Sequence, residues 1–102
     1  MDLILLVYRC TKTFPRDEAF CLTTQMRRAA ISVASNLAEG KRRQSTKELT
    51  QFLFVARGSL LEVETESMSA QKLGYLKEQD SSDFKAGASE VGRLLNGMIT
   101  YF

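Results

Sequence analysis

The sequence has 102 residues with 14 Lys/Arg, 12 Asp/Glu, one proline and no histidine, so it is one domain, able to bury roughly two-thirds of its unfolded surface. Without histidine there is no Ser–His or Cys–His nucleophile, no imidazole base and no Glu-x-x-His di-metal site of the kind built into helix bundles. The net charge of +2 is unevenly placed, with ten Lys/Arg against five Asp/Glu in residues 1–57 and four against seven in residues 58–102, so an anionic partner would meet the first part of the chain.

The opening Leu3-Ile4-Leu5-Leu6-Val7 is a run of five apolar residues. That is below the ~7–15 of a signal-peptide core and far below the ~20 of a membrane span, so a cytoplasmic protein with no membrane contact is expected. Leu3, Leu6, Val7, Cys10 and Phe14 give a first helix that Pro15 stops. It has room for only about 13 residues, roughly 20 Å, against ~33–40 Å for its partners. Either the helix begins further upstream, with Met1 an internal methionine, or a partner covers the gap. Cys10 and Cys21 lack metal-ligand spacing and a secretory signal, and are expected to be reduced, buried thiols.

Leu22, Met26, Ala29, Ala30, Val33 and Leu37 form one apolar stripe on a long second helix, flanked by the small Ser32, Ala34, Ser35 and Ala38. Asn36 is read as a buried polar contact that fixes register. Gly40 falls where a left-handed residue would close the helix, and Ser45 with Glu48 fits a capping box that opens the next. Lys41 to Gln44 would then be a short loop between helices. "EGKRR" is not a phosphate loop, because Ser35 stands where its first glycine belongs and Arg42 where a magnesium-binding hydroxyl belongs.

The third helix is expected from about Thr46 to Leu73, roughly 40 Å long. Leu49, Phe52, Leu53, Ala56, Leu60, Val63 and Ala70 make its core stripe, and Phe54, Leu61 and Met68 repeat every seven residues beside it. That second row is either buried deep in the bundle or is an oligomer interface. Mid-helix Gly58 is expected where a neighbouring backbone comes close, since glycine there costs about 1 kcal/mol relative to alanine. Glu62 and Glu66 share a face, with Arg28 and Arg57 as candidate partners. Gly74 ends the helix, and Asp80 to Asp83 are read as caps for a fourth, whose seam is Phe84, Ala88, Val91, Leu95, Met98 and Phe102. Short connections make the whole an all-α, antiparallel up-down four-helix bundle, a single domain over 1–102.

The segment from about Phe14 to Leu76, above all "QMRRAAISVASNLAEG", "GSLLEVET" and "LGYL", resembles the four-helix-bundle protein family encoded in intervening sequences of bacterial large-subunit ribosomal RNA genes. The resemblance implies an antiparallel four-helix bundle that assembles as a homopentamer, in most members without an assigned activity. A related branch, the accessory variability protein of diversity-generating retroelements, is a basic pentamer that binds nucleic acid and a reverse transcriptase. Family members carry a proline where this chain has Ala34, so a straighter second helix is expected, and they begin with a longer first helix.

The candidate nucleic-acid-binding residues are Lys41, Arg42 and Arg43, with Arg27, Arg28 and Lys47 near them in sequence. Cations that neutralise phosphates release counterions and need not read bases. Arg27 and Arg28 lie more than three turns earlier, and no aromatic interleaves with the cluster, so stacking on single-stranded bases is not signalled. The alternative is a solvated loop whose charges favour the helix C-terminus. The expectation is a non-enzymatic homo-oligomer without a cofactor. It would act as a nucleic-acid-binding or ribonucleoprotein adaptor, with RNA or DNA and a reverse transcriptase or ribosome-related component as possible partners. The other reading is a structural or protein-interaction oligomer that binds no nucleic acid.

Overall fold

A computed structural model of the chain describes residues 2–18 and 21–102; the reading of Met1 as internal lies outside them. Among the described residues there are four α-helices, α1 (Leu3–Thr11), α2 (Leu22–Lys41), α3 (Thr46–Lys72) and α4 (Glu78–Tyr101), with a 3-10 turn at Arg16–Glu18. Each helix packs on its neighbours in cyclic order. The diagonal pairs, α1 with α3 and α2 with α4, keep their Cα atoms more than 8 Å apart. This is the expected up-down four-helix bundle, 43 Å along its longest axis.

α1 is capped by Asp2, whose Oδ1 accepts from the Ile4 amide at 2.9 Å. It ends at Thr11, four residues before Pro15, and Phe14 turns back to lie 5.7 Å from the Tyr75 ring. α2 and α3 form the most extensive pair, because the small Ala29, Ala30 and Val33 on one helix admit Leu53, Ala56 and Leu60 from the other. Met26, Leu53, Val63 and Leu95 are fully buried at the centre.

Four local expectations change. Gly40 is not a left-handed cap: it lies inside α2, buried, and the chain's only positive φ among the described residues is at Gly74, +79°. A Cβ at position 40 would stand 3.0 Å from Leu49 Cδ1 and 3.1 Å from Phe52 Cβ, so glycine there serves close approach of α3. Gly58 has open space around the position of a Cβ, and nothing in the structure explains its glycine. Asp80 to Asp83 do not cap α4, which starts earlier, at Glu78, behind Lys77 at its N-cap and without a side-chain cap. Instead Asp83 accepts from Arg9 of α1 at 2.7 Å, with Asp80 at 3.8 Å. Finally, Cys10 is buried as expected but Cys21 is exposed; both are free.

Candidate nucleic-acid interface

The candidate site is the turn between α2 and α3. Helix α2 closes through the amides of Arg42 and Arg43, which donate to Glu39 O and Gly40 O at 3.2 and 3.1 Å. Basic side chains there complement the partial negative charge of the last turn. Ser45 Oγ accepts from the Glu48 amide at 3.1 Å, the Ser45 half of the capping box. Every residue from Lys41 to Glu48 is exposed, so the turn holds Lys41, Arg42, Arg43 and Lys47 at one end of the bundle.

The other two cations lie elsewhere. From Arg27 to Lys41 is 14 residues of helix, about 21 Å. Arg27 Nε donates to Thr11 Oγ1 at 2.9 Å, and its guanidinium sits 4.4 Å from the centre of the Tyr8 ring. That contact ties α2 to α1. Arg28 is exposed on α2, away from the turn.

Within the turn, Arg43 Nη2 donates to Glu39 Oε1 at 2.5 Å while Arg42 Nη1 stands 4.0 Å from Glu39 Oε2. The Arg43 guanidinium also lies 4.9 Å from the centre of the Phe52 ring, a cation–π arrangement. The absence of an interleaved aromatic therefore holds only along the chain. Phe52 reads in the sequence as plain core, yet it is half-buried and presents a face to the cluster from the next helix.

The acidic row also differs from expectation. Glu66 is only 9% exposed, and its Oε1 has no hydrogen-bond partner. Burial, reinforced by Glu62, pushes its carboxyl up to about 7. Arg57, expected to pair with this row, donates to Asn96 Oδ1 at 3.1 Å and covers the Phe54 ring. Arg28 enters none of the ion pairs among the described residues. Asn36 bonds within its own helix, to Ser32 O at 2.8 Å, and the link to α3 is made by Ser32 Oγ and Ser59 Oγ at 2.8 Å.

Phe54, Leu61 and Met68 are 46, 59 and 55% exposed, so the bundle does not bury the row. Leu61 borders a groove of about 310 Å³ between α3 and α4, with Arg57, Glu64, Arg93 and Asn96 on its walls. Among the described residues no group of three or more Cys, Asp or Glu could hold a metal ion, and no helix is long and apolar enough to cross a membrane.

Residues 1–97 match the profile of the 23S rRNA-intervening sequence protein. The chain belongs to that family. A solved structure from Bacteroides thetaiotaomicron, of a protein with unknown function from the S23 ribosomal protein family, superposes with a TM-score of 0.76 at 20% identity. The match covers 95% of this chain and 84% of that one, and at that identity it speaks to the fold. No curated protein matches the sequence. Membership of the 23S rRNA-intervening sequence family agrees with the four-helix bundle read from periodicity.

Proposed function

We propose that the protein is a non-enzymatic, homo-oligomeric nucleic-acid-binding or ribonucleoprotein adaptor of the cytoplasm, gripping phosphates with the α2–α3 turn. The observation behind this reading is the exposure of Lys41, Arg42, Arg43 and Lys47 together on one turn. Such a cluster supplies sequence-independent affinity. A ribosome-related component or a reverse transcriptase is the protein partner this reading allows, the latter drawn from the resemblance to the retroelement branch. Fluorescence anisotropy of labelled RNA and DNA oligonucleotides across a salt series tests it. Binding is expected to fall linearly in log–log salt by about 0.7–0.9 per phosphate contact. The Lys41→Ala/Arg42→Ala/Arg43→Ala variant should flatten that slope. A wild-type protein that stays unbound at low salt would sink the reading.

A second reading, a structural or protein-interaction oligomer, is favoured by the exposed row Phe54, Leu61 and Met68. The two readings share self-assembly, a pentamer in the family resemblance. Sedimentation velocity should show an oligomer that Leu61→Arg reduces to smaller species. An unchanged sedimentation coefficient would remove this row from the interface.

A further inference from the structure

The basic turn contains its own anion. Glu39 lies in the last turn of α2, where the helix dipole disfavours a carboxylate. It is held there by Arg43, which donates to Oε1, while the largely exposed Arg42 stands 4.0 Å from Oε2 as a looser ion pair. A carboxylate offers a guanidinium two acceptor oxygens in a fork, as the two non-bridging oxygens of a phosphodiester do. We propose that Glu39 is a built-in competitor for phosphate at this turn, occupying Arg42 and Arg43 in the free protein and yielding them when a nucleic-acid backbone docks. The inference rests on the nucleic-acid reading above.

Three features fit this role. The Glu39 and Arg43 side chains are 40 and 39% exposed, so water screens the pair and it opens at small cost. Arg43 does not lose its position when the carboxylate leaves, because the Phe52 ring beneath it remains. Lys41 and Lys47 enter none of the ion pairs among the described residues. The turn thus has two tiers, lysines open to any phosphate and arginines that must first be released.

The test is anisotropy with the same RNA and DNA oligonucleotides on four proteins: wild type, Glu39→Gln, Arg42→Ala/Arg43→Ala, and the three changes together. Glu39→Gln is expected to tighten binding about two- to five-fold, the range of an exposed ion pair. Its salt slope should steepen by about 0.7–0.9 for each arginine freed. The gain should vanish when both arginines are already alanine, which a double-mutant cycle isolates. An equal gain in both backgrounds would mean that Glu39 acts only through net charge, and the proposal falls. No gain, while wild type still binds with a steep slope that loop substitution flattens, overturns the competitor and leaves the nucleic-acid reading standing. Absence of binding by all four proteins overturns both. Binding by Glu39→Gln while wild type stays unbound even at low salt likewise overturns both, because no backbone then displaces the carboxylate; where wild type binds, the RNA and DNA arms show which backbone does.

Discussion

The two turns that flank α3 begin alike in sequence, each with a glycine near the end of a long apolar-striped segment, and end in opposite states. At the α3–α4 turn Gly74 takes φ +79°. The Gly74 amide donates to Gln71 O and the Tyr75 amide to Ala70 O, at 3.1 and 3.0 Å, the paired bonds of a Schellman closure. Tyr75 then packs its ring at a tilt of 51° against Phe14, and Leu76 is buried. At the α2–α3 turn Gly40 stays helical and the chain runs out into exposed cations. The difference lies in the residues that follow. Tyr75-Leu76 gives the chain apolar surface to bury just beyond Gly74, which rewards the sharp reversal. Lys41-Arg42-Arg43 gains nothing by folding back, so the helix simply continues to its polar end.

Substitutions at the glycines and in the helix between them sharpen this contrast. The largest effect is expected from Gly40→Leu, which has no room against Leu49 and Phe52. Urea unfolding should show a loss of about 3 kcal/mol, at the upper end of core overpacking. A neutral result would mean that α3 does not approach as closely as described.

Next comes Glu66, which lies toward the closed turn. Its carboxyl titrates at about 7 in the folded chain and at ordinary glutamate values, about 4.3, when unfolded. Between those values the folded protein keeps a proton that the unfolded chain has lost. Stability should therefore fall as pH rises from about 4.5 to 7, by roughly 3 kcal/mol, and then level off. Glu66→Gln should remove the fall; a pH profile identical in the variant would refute the assignment.

Gly74→Ala forces a side chain into the left-handed region and should cost about 1–2 kcal/mol, read as a lower urea midpoint. Smallest, and opposite in sign, is Gly58→Ala. Space is open there, and helix propensity should raise stability by about 1 kcal/mol. A loss at that position would reveal a close neighbour on Gly58, such as a second subunit.

Much of this architecture was legible in the sequence because it rests on periodicity. The stripes through Leu22–Leu37 and Leu49–Ala70 lie on the core side as read. What escaped was relational. Gly40 and Gly74 differ only in what their helices meet, and Asp80 and Asp83 resemble caps until Arg9, more than 70 residues away in sequence, turns out to face them. The turn's cations were visible as neighbours in sequence. The Phe52 ring under Arg43 was not, since nothing local distinguishes a half-buried phenylalanine from core. Glu66 was hidden for the converse reason, a charged residue in line with the apolar stripe, three after Val63 and four before Ala70, that the bundle encloses.

The cyclic order of the helices also implies an order of assembly. α2 and α3 are adjacent in the chain and form its most extensive pair, so their hairpin can form with little loop entropy to overcome. The α1–α4 seam, held by Arg9 and Asp83 across 74 positions of sequence, closes a far larger loop for a helix of nine residues. That seam should be the last to zip and the first to fray, with the amides of α1 exchanging with solvent well before those of α2 and α3.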